Sequence, residues 1–164
     1  MKDIKDTVRS HVRVAYDGSV HKTFRGTDAD VRYETEKTVL QFLEERNCDF
    51  VPRVIEFDDE RLYLVTTNCG QPVRSLSDGK MKSLFRELET FGVRHGDQFE
   101  RNITYDPVKG RFCVIDFELA DIIDENNDDD AGSECDGEES GGADEPKSDM
   151  AAEKPRQGRE NSAE

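Results

Sequence analysis

"RHGDQFERNI", residues 94–103, is the stretch on which the reading of this chain turns. A histidine, a glycine, an aspartate and an asparagine crowd into one short polar run. The apolar stripe of "SLFRELETFGV" precedes it, and the apolar strand "FCVIDF" follows. Asp97 and Asn102 lie five residues apart in the run, and Asp116 interrupts the strand. An acid inside an apolar strand needs a partner, because burying an unpaired charge is costly. Loop and strand form a hairpin on this reading, so Asn102 and Asp116 can present two oxygen donors to one point. One or two protein oxygens completed by phosphate oxygens are what Mg²⁺ prefers. Asp97, beside them but free of metal, is placed to accept a proton from a hydroxyl.

The segments upstream supply two further oddities. "HVRVAYDGSVHKTF" alternates around Asp17-Gly18, a strong signal for a tight hairpin turn. Alternation puts Val20, Lys22 and Phe24 on one face, so a lysine sits on the apolar side of a strand. It either snorkels to water at the sheet edge or meets an anion inside. In "DADVRYETEKTVLQFLEERN", Asp28 or Asp30 is expected to cap a helix. Glu36, Val39, Leu40 and Leu43 then share one helical face. Glu36 ends that stripe, either at a wet rim or paired with Lys22.

The remaining elements follow from the same patterns. "FVPRVIEFDDERLYLVTTN" reads as two antiparallel strands turning at Asp58-Asp59, and "CGQPV" as a loop. "SDGKMKSLFRELETFG" reads as an amphipathic helix with Met81, Leu84, Phe85, Leu88 and Phe91 on its stripe and Gly92 at its C-terminal cap. The order is hairpin, helix, hairpin, helix, polar loop, strand pair. It predicts an α+β domain with an antiparallel sheet.

Composition sets the boundaries. The chain has 164 residues and a net charge of −15. Residues 124–164 carry 15 of the 38 acidic side chains and 4 of the 23 basic ones. That segment has no aromatic residue and almost nothing aliphatic, so it is expected to be a disordered acidic tail. Such a tail serves either as a solvated extension or as a dock for a basic partner. Residues 1–123 then form one domain, large enough for a single core. Four scattered cysteines without a C-x-x-C pair suggest neither a zinc site nor a redox motif. With no signal peptide and no long apolar run, the expected location is the cytoplasm, away from membranes. The acidic balance and the lack of a basic stripe argue against nucleic-acid binding.

"HGDQFERNI" followed by "FCVIDFE" resembles the catalytic loop and metal-binding strand of the protein-kinase-like superfamily. The glycine after the histidine is similar to aminoglycoside phosphotransferases, choline kinases, and the small Bud32 and RIO-type kinases. The resemblance implies ATP and Mg²⁺ as cofactors, Asp97 as the catalytic aspartate, and Asn102 and Asp116 as metal ligands. "VHKTF" resembles the strand whose lysine holds ATP phosphates, which gives that role to Lys22. "ETEKTVLQFL" resembles the αC helix, whose glutamate pairs with that lysine, which makes Glu36 the partner. "LYLVTTN" resembles the strand leading to the adenine hinge, and His95 becomes a buried brace of the loop. The resemblance runs over about residues 12–121.

The departures are specific. Glu118 replaces the glycine of Asp-Phe-Gly, no glycine-rich loop precedes Lys22, and the first strand looks missing or very short. After Glu118 the chain passes straight to the acidic tail, so the fold is expected to be truncated, without an activation segment and most C-lobe helices. Three functions are consistent with these residues. One is a minimal phosphotransferase acting on a protein Ser/Thr or a small-molecule hydroxyl. Another is an inactive nucleotide-binding or scaffold module. The third, a metal-dependent Ser/Thr phosphatase suggested by "HGD", lacks the several ligand segments that two metals require.

Overall fold

The computed structural model describes residues 1–123; the acidic tail expected over 124–164 lies outside them. The core of the described residues is a five-stranded antiparallel sheet in the order β1-β2-β3-β5-β4. Its strands are β1 (Lys2–Asp6), β2 (Ser10–Val14), β3 (Val20–Phe24), β4 (Val54–Asp58) and β5 (Tyr63–Thr66). The β2–β3 turn is built as the sequence suggests. Gly18 adopts φ +89°, and Asp17 Oδ1 accepts from both the amide and the hydroxyl of Ser19.

β1 corrects one expectation, since the first strand is present. All five of its residues are exposed, so no buried face marks it in the sequence. It exists because its backbone pairs with β2, with Lys2 opposite Val14 and Asp6 opposite His11. The turn between them is closed by Thr7, whose hydroxyl accepts from the amides of Arg9 and Ser10.

Helix α1 (Ala29–Glu45) packs on this sheet through Tyr33, Val39, Leu40 and Leu43, all buried. Burying each such side chain contributes roughly 1.5–3 kcal/mol. Tyr33 meets Phe24 of β3 edge to face at 5.6 Å between ring centroids. The expected aspartate side-chain cap is absent. Asp28 holds the N-cap position in a left-handed conformation, φ 54°, and contributes its carbonyl, not its carboxylate, to Arg32. Asp30 lies in the first turn, where a negative charge favours the helix dipole.

Helix α2 (Asp78–Glu89) is capped by the Ser77 hydroxyl and buries Leu84, Phe85 and Leu88. Two small sheets follow. β6 (Gln71–Pro72), β8 (Ile103–Asp106) and β9 (Arg111–Val114) form one, and β7 (Val93–Arg94) pairs with β10 (Asp121–Ile122) in the other. The "CGQPV" segment thus includes a two-residue strand, where only a loop was expected. A single apolar cluster joins both halves, from Phe24 and Leu40 through Phe50 to Phe85, Ile103 and Phe117. Pairing of β7 with β10 brings the chain after Asp116 back against the polar loop, and this closure positions the site.

Candidate phosphate and metal site

The polar loop is fixed from below by His95. It is 1% exposed and stands between Phe85 and Phe117, at ring distances of 5.3 and 5.0 Å. Its Nε2 donates to the Ile115 carbonyl at 2.9 Å, and its Nδ1 accepts from the Asp97 amide at 3.4 Å. Burial lowers its pKa, which favours the neutral ring that this donor–acceptor pair requires. His95 therefore braces the loop, as expected of it.

Gly96 makes the close approach possible. Its φ is +74°, and a Cβ there would lie 1.8 Å from the Leu119 carbonyl oxygen. Only glycine accommodates both the conformation and the contact.

Asp97 is held by its own loop. Asn102 Nδ2 donates to the Asp97 carbonyl and to Asp97 Oδ2, both at 2.8 Å. Arg101 Nη2 reaches the two carboxylate oxygens at 2.7 and 2.9 Å. The Asn102 amide nitrogen is thus committed to Asp97, and its Oδ1 takes no part in that pairing. Asn102 also accepts from the Ile115 amide through its carbonyl at 2.9 Å. That bond sets it one residue across from Asp116, as the hairpin reading required.

β9 ends at Val114, and Asp116 follows it with φ 67°. Aspartate is among the few residues that tolerate this region, and such strain gathers at functional sites. The turn aims its carboxylate at Lys22. Lys22 Nζ lies 2.6 Å from Glu36 Oε2, 2.5 Å from Asp116 Oδ1 and 3.5 Å from Glu118 Oε2. The inward lysine and the stripe glutamate therefore pair, with Lys22 8% and Glu36 6% exposed. Neither snorkels to water.

The electrostatics follow from crowding. Burial opposes the Lys22 charge, but Glu36, Asp116 and Glu118 together raise its pKa above the ordinary lysine range. Burial pushes the Glu36 carboxyl up to about 7, more than Lys22 draws it down. Asp116 is also desolvated, yet Lys22 and then Lys5 hold its pKa below the usual carboxylate value. One lysine thus serves three carboxylates unequally.

Four contributors escaped the sequence reading. Glu118 Oε2 accepts from Arg32 Nη1 at 3.1 Å, and Arg32 also reaches the carbonyls of Arg9, Arg25 and Thr27. Lys5 Nζ stands 3.7 Å from Asp116 Oδ2, and Arg9 Nη2 stands 3.5 Å from Glu118 Oε1. Arg32 was open to discovery, because it precedes Glu36 by four residues and shares its helix face. Lys5 and Arg9 depend on β1, which carried no pattern.

Carboxylate oxygens of Glu36, Asp116 and Glu118 lie within 4.8 Å of one another, hard donors of the kind Mg²⁺ takes, with the Lys22 ammonium among them. A cavity of about 640 Å³ between α1 and the Asp59 turn does not border Lys22 and plays no part in this arrangement.

No family model and no curated protein matches the sequence. Solved structures do. The Rio2 kinase of Chaetomium thermophilum, in a complex described as ADP/Mg²⁺-phosphoaspartate, is similar with a TM-score of 0.53 at 19% identity. The match covers 77% of this chain and 50% of that one. The fold is protein-kinase-like. The chain spans about half the length of that kinase. Among the described residues no helix is long and apolar enough to cross a membrane.

Proposed function

We propose that this kinase-like core binds Mg²⁺–ATP and transfers its terminal phosphoryl group to a hydroxyl, on a protein Ser/Thr or a small molecule. The observation that carries the reading is the junction at Lys22. Protein kinases require a strand lysine paired with an αC glutamate, together with an aspartate for Mg²⁺. Here one ammonium joins β3, α1 and the Asp116 turn within 2.6 Å.

The roles follow from position. Lys22, oriented by Glu36, would hold phosphate oxygens. Asp116 and the Asn102 amide oxygen would hold Mg²⁺, which when bound neutralises the charge on the transferring group. Asp97, fixed by Asn102, would orient the acceptor hydroxyl and take its proton. Phosphoryl transfer asks mainly for positioning and charge neutralisation, and these residues supply both.

Labelled ATP, an acceptor panel and the protein itself test the reading. Transfer by the wild type, lost in Asp97→Asn while nucleotide binding persists, is the expected result. Unchanged transfer in that variant would remove Asp97 from the role.

A second reading is favoured by Arg101, whose guanidinium already occupies both Asp97 oxygens. On that reading the core binds nucleotide without turnover and acts as a scaffold. Mg²⁺-dependent ATP binding without transfer to any acceptor would select it. The phosphatase reading gains nothing from the histidines. His11 bonds Asp3, His21 bonds Ser19 and Tyr63, and His95 is spent on the Ile115 carbonyl.

A further inference from the structure

The β1–β2 hairpin reaches the carboxylates around Lys22, yet its turn residues Thr7, Val8 and Arg9 include no glycine. Glycine-rich covers work by letting backbone amides approach the phosphate closely. Here the Arg9 and Ser10 amides are already spent on the Thr7 hydroxyl. With those two amides engaged, the hairpin's side chains become the groups to weigh.

The hairpin brings side-chain cations instead. Lys5 reaches Asp116 and Arg9 reaches Glu118, the same carboxylates that surround Lys22. The hairpin is also anchored in that position. The Arg9 carbonyl accepts from the Arg25 amide at 2.8 Å and from buried Arg32. Gly26 packs so closely that a Cβ there would lie 2.8 Å from the Val8 carbonyl oxygen. Lys5 and Arg9 therefore start from a fixed base.

Charge and exposure indicate what they await. Four cations (Lys5, Arg9, Lys22 and Arg32) surround three carboxylates (Glu36, Asp116 and Glu118). Lys22 and Arg32 are buried and held in short ion pairs. Lys5 and Arg9 are 51% and 54% exposed, and their ion pairs are longer. Half-exposed pairs are weak and readily exchanged for a better anion. A polyphosphate beside Lys22 is such an anion, and charge-assisted bonds to it are stronger.

We infer that Lys5 and Arg9 form a side-chain clamp for the β- and γ-phosphates of a bound nucleoside triphosphate, in place of a glycine-rich loop. The inference rests on the nucleotide reading above and adds two residues to it. Lys5 and Arg9 exchange Asp116 and Glu118 for phosphate oxygens, and Asp116 is thereby released toward the metal.

Calorimetric titration of full-length protein with Mg²⁺–ATP, Mg²⁺–ADP and adenosine tests the clamp. The proteins compared are wild type, Lys5→Ala/Arg9→Ala and Lys5→Arg. The double variant is expected to bind ATP about tenfold more weakly and ADP less affected, with adenosine changed by less than about twofold. Its ATP affinity should also depend less on salt. Lys5→Arg should retain affinity, since the charge is kept. Both altered side chains are half-exposed and the Arg9 anchor is its backbone carbonyl, so folding is preserved, as circular dichroism will check. If wild type binds ATP and the double variant binds it equally well, the clamp is wrong and the nucleotide site stands. If wild type binds neither nucleotide, the site and the clamp fall together.

Discussion

Lys22 and Asp116 stand 94 residues apart in the chain and 2.5 Å apart in space. Glu36 completes the junction from a third element, 2.6 Å from the same ammonium. Removing the lysine leaves two desolvated carboxylates without their shared counter-charge. Lys22→Met is therefore expected to lose about 3–5 kcal/mol of stability near neutral pH, the usual result of breaking a buried pair from one side. Urea unfolding measures it, and a loss below about 1 kcal/mol would mean that other groups neutralise the carboxylates.

The Glu36 carboxyl carries a pH dependence of known sign. Its pKa rises from the ordinary 4.5 to about 7 on folding, because burial outweighs the pull of Lys22. The folded state thus favours the protonated form. The associated stability is full below pH 4.5 and is lost as pH climbs to about 7. Thermal melts of wild type and Glu36→Gln across that window should show wild type losing about 1–3 kcal/mol relative to the variant. His95 slopes the other way. Its pKa is lowered from 6.5, so its contribution holds above that value and is lost as pH falls. That slope should survive in Glu36→Gln.

Gly96 and Gly110 share a left-handed conformation, φ +74° and +67°, but differ in what surrounds them. A Cβ at Gly96 meets the Leu119 carbonyl at 1.8 Å, while one at Gly110 meets nothing within 4 Å. Gly110→Ala should cost about 1 kcal/mol from backbone strain alone. Gly96→Ala should cost about 2–5 kcal/mol, because overlap with backbone adds to the strain. Equal melting shifts for the two variants would contradict the close packing of the polar loop on Leu119.

Asp97 is held by one buried and one exposed partner, and these should not count equally. Asn102 is buried and donates twice at 2.8 Å. Asn102→Ala should lose about 1–3 kcal/mol, the range for buried bonds to a charged acceptor. The Arg101 side chain is 64% exposed, so Arg101→Ala should lose under about 1 kcal/mol despite its two short contacts. Denaturant midpoints rank the two, and the opposite ranking would make the Arg101 pair the main support of the loop.

Lys22 and Glu36 were legible because each broke a local pattern, a lysine on the apolar face of a strand and a glutamate on an apolar stripe. Asp116 broke one as well. β1 was not legible, since "KDIKD" is exposed on both faces and owes its conformation to backbone pairing with β2. Glu118 looked like a mere replacement for glycine. Its function as a link between Lys22, Arg32 and Arg9 required three other elements to arrive at one point.

The sequence by itself determined what depends on near neighbours: the Asp17-Gly18 turn, the apolar stripes of α1 and α2, and the spacing of Asp97 and Asn102 in one loop. These follow from backbone preference and from the burial of one face, both set within a few residues. Only the tertiary structure decided which charges meet. The registers of β1 with β2, of β2 with β3 and of β8 with β9, and the packing of α1 on the sheet, bring Lys5, Lys22, Glu36 and Asp116 together. A buried charge imposes the need for a partner locally, but the partner is chosen by the long-range pairing that closes the fold.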